Sequence, residues 1–451
     1  MTASNEKKLG LIQLTALGVG IIIGASIFSL IGVGAQIAKH NLPEAFALSS
    51  LFAFTVAYSY AKLGTIYVSN AGPIEYVMRA FGDNVFVGFL AFIYWFSFVI
   101  SISLFANSFA GYFLGFLGLV NNTLLFYIVE ILVVIAFVLL NFKGSKAVGD
   151  AETLLVAIKL GILGIFVIGG AMFIKPQNLT PDFSAAGIYG MIVAASMYLL
   201  SYAGFGTITN ASENAENPRR TVPLAIYLSL LIATIVYVSV SIVAIGAVPL
   251  KDLIKAKEYA LAEAAKPFLG EFGFTLITIG ALISISSALN SALYGGANVA
   301  YALAKKGELP RIFDRRVWFS EPEGLYITAG LGMFLAVFLN LSGIAEVTTI
   351  SFLTIYLAVA IAHWKLKHIT KGNPTIIILS VIFIVFAGGM IMYYSFHQNP
   401  RAFYTTLVAL IGFFLFELTY RGVTRREMKI RNVWYEIRGE APPEDLVSKK
   451  Q

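Results

Sequence analysis

An all-α integral membrane fold with twelve transmembrane helices is what this sequence predicts, and three observations carry it. Of its 451 residues, 58% are hydrophobic and 13% charged, where a soluble domain carries roughly 25% charge. Apolar stretches recur along the whole chain, long enough to cross a bilayer core of about 30 Å, which takes about 20 helical residues. Two of these stretches, 180 residues apart, are broken in mid-span by Gly and small polar residues.

The composition also excludes. A soluble monomer exposes apolar patches of only about 300–600 Å², so lipid must solvate much of this chain. There is no cysteine, which removes disulfides, thiolate metal sites and a cysteine nucleophile. His40, His363, His368 and His397 are scattered without a metal-ligand pair, and no metal is expected. Neither a cofactor motif nor a buried His/carboxylate/nucleophile set is present, so the expectation is no cofactor and no enzyme activity. The net charge of +7 lies in loops rather than on a nucleic-acid face, and no nucleic-acid partner is expected. The polar start MTASNEKK leads into a helix too long for the h-region of a signal peptide, and no cleavage is expected.

Helices are expected at 10–38, 44–69, 83–117, 123–141, 152–174, 188–210, 222–249, 271–304, 324–341, 344–367, 374–396 and 402–421, each ending at polar or Pro/Gly clusters. An even number puts both termini on one side. With the N-terminus inside, 23 of the 32 Lys and Arg fall on the inner side. They include Arg79, Arg219, Arg220, the cluster Lys305 to Arg316 and the run from Arg421 onward, whereas Lys39, Lys175, Lys251, Lys255, Lys257, Lys266 and Arg401 face out. The positive-inside rule reads both termini as cytoplasmic, in a cell membrane. Residues 1–425 form one transmembrane domain, and 426–451 a charged tail. The outer loop 249–271 is amphipathic, which predicts a short external helix.

The first broken helix carries GVGIIIGASIF (Gly18–Phe28) and the sixth SYAGFGTITN (Ser201–Asn210). Gly costs roughly 1 kcal/mol against Ala inside a helix, so its presence there asks for a reason. Close packing is one, since Gly20-x-x-x-Gly24 fits the small-xxx-small pattern. Two such stretches in register favour another. They lie five helices apart, as first and sixth, and an odd number per repeat inverts the second repeat. Inverted repeats with discontinuous helices mark secondary transporters. The repeats would cover about 10–175 and 188–367, with two extra helices over 374–421. The G-x-G at 18–20 lacks the strand and βαβ unit of a dinucleotide site.

Three segments carry a resemblance: IGASIF at 23–28, SYAGFGTITNASENAENPRRTVP at 201–223 and SNAGPIEYVMRAFG at 69–82. They are similar to the amino acid–polyamine–organocation (APC) superfamily of permeases, over roughly residues 8–425. The third departs in lacking the second Gly common in that loop. Together with Lys159, ALISISSALNSALYGGANVAYALAKKGELP at 281–310 resembles the archaeal broad-specificity, proton-coupled amino-acid transporter of that superfamily. The resemblance implies the leucine-transporter fold: two inverted five-helix repeats plus two helices, moving an amino acid by alternating access.

Broken helices offer free N–H groups at the start of one half and free C=O groups at the end of the other. The N–H end, with roughly half a positive charge, suits a carboxylate. Gly24, Ala25 and Ser26 are the candidates for it. Ile22 and Ile23, with Ser201, Tyr202 and Ala203, would receive the ammonium group. Gly24 and Gly204 would let the chain leave helical geometry and the ligand come close. Phe205 is read either as a pocket wall or as core. No charge lies within the first helix, in the third after Asp83, or in the eighth from 272 to 304, which argues for neutral substrates.

Lys159 sits in AETLLVAIKLGILGIFVIGG, about 12 Å into the bilayer by helical rise. Snorkelling back to the interface would be incomplete at that depth. A lysine in mid-membrane is costly and functional by default. Desolvation penalises the charged form of an amine, which suits a group that gains and loses a proton. The resemblance places its ammonium where sodium-coupled relatives hold sodium, with the Gly20 carbonyl and the Ser284 and Ser287 hydroxyls as neighbours. Glu130 is a further proton candidate. Lys62 and Glu417 are expected to snorkel, and Glu213 to close the cytoplasmic side through Arg219 or Arg220. The expected partners are an amino-acid substrate, protons and lipid, with the oligomeric state open. Amino-acid/polyamine exchange and a non-transporting sensor on a permease fold are the alternatives.

Overall fold

The computed structural model describes residues 9–424 except 25, 70–71, 83, 142–147, 307–308 and 318–322. The described residues are mostly helical. The first expected helix appears in three pieces, α1 (Leu11–Ile22), α2 (Ser26–Ser29) and α3 (Ile31–Ala38), and α4 (Leu42–Gly64) returns. A short helix α5 (Pro73–Phe81) follows, then α6 (Val85–Phe116), α7 (Thr123–Asn141) and α8 (Val148–Ala171). The sixth expected helix is α9 (Ala185–Tyr198), a 3₁₀ stretch (Leu199–Tyr202) and α10 (Phe205–Asn210). Then come α11 (Pro218–Ala247), α12 (Leu250–Ala256), α13 (Ala260–Lys306), α14 (Glu323–Phe338), α15 (Leu341–Thr370), α16 (Pro374–Gln398) and α17 (Pro400–Thr424).

Where the helices depart from the expected bounds, turn chemistry explains it. Helix α5 was not expected, although Pro73 at its start and Gly82 (φ 71°) at its end are ordinary helix punctuation. Helix α11 begins at Pro218, four residues early, because Pro is pre-set for the first helical turn. The outer segment folds as α12 and the beginning of α13, which turns at Gly270 (φ 60°) before it runs inward. Among the described residues, eleven segments are long and apolar enough to cross a membrane, and α14, with 16 residues, is a shorter apolar helix.

Burial separates hub from rim. Of the apolar stretch of α6, 83% is buried, against 17% for those of α7 and α17. Helix α6 packs on α13, α15, α14, α7 and α17, and α11 packs on α4 and α1. The rim helices keep large apolar side chains outward, among them Leu132, Leu139, Val408 and Leu415. Such a surface is stable only against lipid.

On the side away from the termini, the segment Lys257–Tyr259 is wedged between α3 and α6. A Cβ on Gly32 would stand 2.7 Å from Lys257 Cα and 2.8 Å from its carbonyl carbon. One on Gly111 would stand 2.8 Å from Glu258 Cγ, and one on Gly115 2.8 Å from Tyr259 Cδ1. Three glycines thus make the seat of this outer segment. Gly32→Val puts side-chain atoms where Lys257 backbone now lies, an overpacking that costs about 1–3 kcal/mol. The expected outcome is a lower unfolding temperature in detergent and faster tryptic cleavage at Lys257. An unchanged cleavage rate would mean that the seat does not hold the segment.

Candidate functional site at two interrupted helices

The first interruption begins where α1 stops at Ile22. Ile23 leaves helical geometry (φ −82°, ψ 35°), and the carbonyls that would have met amides further along lose those partners. Within a bilayer no water replaces them, and side chains from five other helices do. Lys159 Nζ on α8 lies 3.3 Å from Gly20 O. Tyr237 Oη on α11 donates to Ile22 O. Ser284 Oγ on α13 is 3.1 Å from Ile23 O and also donates to Gly24 O. Tyr112 Oη on α6 reaches Phe28 O at 2.7 Å, and Tyr198 Oη on α9 reaches Leu30 O at 3.0 Å. Gly24 N–H turns back to Ile21 O at 3.2 Å.

The second interruption tightens rather than opens. Ala203 N–H bonds Leu200 O at 3.0 Å and Thr207 N–H bonds Gly204 O at 3.1 Å, the i→i+3 pattern of a 3₁₀ turn. Gly204 itself is helical (φ −58°, ψ −20°). Its lack of a side chain serves close approach, since a Cβ there would stand 2.6 Å from Ile22 N and 2.9 Å from Ile21 Cγ2. The expectation that Gly204 lets the chain leave helical geometry is corrected: it lets the two interrupted helices touch. At the crossing Tyr237 Oη also lies 3.0 Å from Ser201 O, so one hydroxyl spans both interruptions.

Of the residues singled out in the sequence, Ile22, Ile23, Gly24, Ser201 and Gly204 come together here. Ser26 and Ser201 are buried, and Ser201 Oγ has no hydrogen-bond partner. Ala25 lies outside the described residues. Tyr202 and Phe205 turn their side chains elsewhere. Tyr202 Oη reaches Phe46 O at 3.2 Å, and Phe205 stacks on Tyr356 (5.5 Å) and meets Tyr60 edge-on (5.2 Å). The Gly24 amide and the Ile22 and Ile23 carbonyls, expected to be free, hold intrachain partners in this conformation. The cause is the dry interior, where an unpaired carbonyl is costly.

Lys159 is 1% exposed and is the one lysine in the buried interior among the described residues. Helix α8 starts at Val148 rather than 152, which sets Lys159 about 16 Å along it. Ser284, expected beside Lys159, bonds the carbonyls of Ile23 and Gly24, and Ser287 is half-buried on the same helix.

Below the crossing, the side of the termini is sealed by backbone. Leu9 N–H bonds Asn214 O and Glu216 N–H bonds Leu9 O, both at 2.8 Å. Ser69 N–H bonds Ser212 Oγ at 3.1 Å. Gly72 (φ 58°) fits against the Asn210 side chain, whose amide donates to Tyr94 Oη at 2.9 Å. The Glu213 side chain lies outside the described residues, and Arg219 and Arg220 are exposed. Glu417 does not snorkel. It is fully buried and paired with Arg421 one turn on, in room left by Gly88. Lys62 is half-buried near the Tyr58 ring. Among the described residues no group of three or more His, Asp or Glu is placed to hold a metal.

Sequence reasoning missed Tyr112, Tyr198 and Tyr237. Their signal was a phenol inside an apolar helix, because a buried Tyr hydroxyl usually finds a partner. It also missed Glu346, buried and held by Ser342 (2.8 Å), Asn399 (3.2 Å) and Ser395 at the α15–α16 contact.

Comparison with known proteins gives a consistent result. A family model described as amino acid permease matches residues 9–416. An uncharacterized protein of Methanocaldococcus jannaschii is 51% identical over 93% of this chain and 97% of its own length. The inner membrane transport protein YbaT of Escherichia coli is 31% identical, covering 95% of this chain and 98% of its own. The branched-chain amino acid permease BcaP of Bacillus subtilis is 26% identical over 92% of this chain and 93% of its own.

Tyr237→Phe removes the donor shared by Ile22 O and Ser201 O without changing the ring. Leaving a buried acceptor unpaired costs about 1–3 kcal/mol. Thermal unfolding in detergent should show the loss, and Tyr198→Phe a smaller one, because Leu30 O keeps the Gly34 N–H at 2.8 Å. No shift in either variant would show that the interruption does not depend on these hydroxyls.

Proposed function

The chain belongs to the amino acid permease family, and we propose that it is a sodium-independent, proton-coupled symporter of neutral L-amino acids. The observation that carries this reading is the Lys159 amine on the Gly20 carbonyl, at the end of the first interrupted helix. The membrane would be crossed twelve times, with α14 as one crossing and both termini in the cytoplasm, as the lysine and arginine distribution favours. Two inverted five-helix repeats would then place the two interruptions at the centre.

The substrate's common part is its carboxylate and ammonium groups. The carboxylate would take amides at 24–26, and the ammonium the carbonyls of Ile22 and Ile23 with Ser201, Tyr202 and Ala203. Carbonyl oxygens have two lone pairs, so Tyr237 and Ser284 need only shift, not leave. The side-chain end of the substrate would face α6 and α13, which carry no charge over Val85–Phe116 and 272–304. Charge is therefore absent where a cationic or acidic side chain would need a partner.

Protonated, Lys159 bridges α8 to α1. Its charge also excludes a sodium ion from that place. Deprotonated, the amine loses most of its hold on Gly20 O, and α1 is freed to repack against α13 and α11. A proton would thus bias which side of the site is open, as a ligand biases any two-state element.

Uptake into proteoliposomes tests the reading, with pH and sodium gradients imposed separately. Neutral L-amino acids should compete with one another, and compounds lacking the amine or the carboxylate should not. Lys159→Ala should keep substrate binding but lose accumulation driven by a pH gradient. A wild-type requirement for sodium, or undiminished pH-driven uptake by Lys159→Ala, would refute the coupling. Gly204→Leu or Gly24→Leu should abolish binding while the protein still inserts. Wild-type affinity in either would place the substrate elsewhere.

A further inference from the structure

Glu130 on α7 and Asn107 on α6 form a buried polar pair that the transport reading does not use. Glu130 is 0% and Asn107 6% exposed. The Asn107 amide nitrogen donates to Glu130 Oε1 at 2.8 Å. The other two atoms, Glu130 Oε2 and Asn107 Oδ1, are buried and have no partner. Both are acceptors if the carboxylate is ionised. One Asn107 N–H is then bonded to Oε1, and two acceptors, Oε2 and Oδ1, are unmet.

Among the described residues of the helices packed against it, no cation is placed to balance an ionised Glu130. Helix α7 packs on α6, α13 and α14. Among them, α6 has no Lys, Arg, Asp or Glu, α13 has none from 272 to 304, and α14 has none after Glu323. The charged side chain one turn along α6, against Gly111, is Glu258, a second acid. Tyr127, one turn earlier on α7, is 38% exposed, and the Tyr112 hydroxyl is committed to Phe28 O. What the pair lacks is one hydrogen-bond donor, and the smallest group that supplies it is a proton on the carboxyl.

The surroundings also give a route. Asn107, Gly111 and Gly115 are spaced four apart on α6, so they lie on one face, a turn above one another. Glu130 meets the first, Glu258 the second and Tyr259 the third. The outer segment Lys257–Tyr259 therefore covers the file that leads from the pair to the face away from the termini.

We propose that Glu130 is a proton-binding site, holding its proton in a carboxylic acid–amide pair with Asn107 and exchanging it with the outer face when the segment around Glu258 lifts. This site stands apart from Lys159, and it does not require that transport be proton-coupled.

Infrared spectroscopy of the purified protein in lipid reads it without any transport assay. The wild type should show a protonated-carboxyl C=O band that moves to lower frequency in D₂O. The band should be missing in Glu130→Gln, displaced in Asn107→Ala and retained in Lys159→Ala. Its shift in D₂O should be faster in Gly111→Val, where the added side chain displaces Glu258. Should Glu130→Gln fail to fold, the Asn107→Ala spectrum carries the test. Identical spectra for wild type and Glu130→Gln, or an unmoved band in Asn107→Ala, would overturn the site. Equal exchange in Gly111→Val would overturn the route.

Discussion

A peptide group without a hydrogen-bond partner inside a bilayer costs several kcal/mol, and the architecture answers that cost at one place. The first helix stops at Ile22, and the carbonyls of Gly20, Ile22, Ile23, Gly24, Phe28 and Leu30 take side-chain donors from other helices. Lys159, Tyr237, Ser284, Tyr112 and Tyr198 supply them. They come from α8, α11, α13, α6 and α9, which are thereby fixed around one irregular stretch of backbone. The stretch is stable only while its neighbours hold position, and the neighbours are oriented by bonding to it. A ligand that offers its own donors to the same carbonyls competes directly with these contacts. With the substrate placed as proposed above, binding and helix packing would be one equilibrium.

Small residues make that geometry possible. Gly204 lets α10 lie on Ile21 and Ile22, and Gly34 leaves space for the Tyr198 hydroxyl that bonds Leu30 O. Gly18 makes room for Ser229, whose hydroxyl bonds Thr15 O at 3.1 Å. Because these contacts are backbone against backbone or against a hydroxyl, they cannot deform gradually. Close-packed interfaces switch between arrangements instead of stretching. The outer seat at Gly32, Gly111 and Gly115 and the inner seal at Leu9, Ser69 and Gly72 are built the same way, on opposite sides of the crossing.

Much of this was legible in the sequence because bilayer thickness imposes a strong period on hydropathy. The helices at 123–141 and 374–396 appear as α7 (Thr123–Asn141) and α16 (Pro374–Gln398). The interruption at Ile23–Gly24 was readable because Gly and Ser in mid-membrane oppose helix propensity. The form of the second interruption was not. SYAGFG suggests an opening, yet the chain tightens into a 3₁₀ turn, since both satisfy the glycine pattern and only packing against Ile22 decides between them. The side-chain caps were hidden for a similar reason. Tyr237 sits in an apolar run of α11, where its ring counts as hydrophobic and its hydroxyl escapes notice. Which tyrosine meets which carbonyl depends on helix rotation, and one sequence does not specify that.

Buried charges separate by how completely they are met. Glu417 has Arg421 one turn away, a pair within one helix that can move as a unit. Glu346 accepts from Ser342, Ser395 and Asn399, enough donors to hold a carboxylate in place between α15 and α16. The set around Glu346 resists change, because removing any partner leaves a buried acceptor unmet. Glu130 has one donor from Asn107 and an oxygen with none. Lys159, for its part, places its amine against a carbonyl at the break in α1. A group whose environment fits its charged form in one conformation only is a group whose protonation favours that conformation. By this criterion Glu346 with its donors and Glu417 with its cation belong to the scaffold, and the proton roles proposed above fall to Glu130 and Lys159.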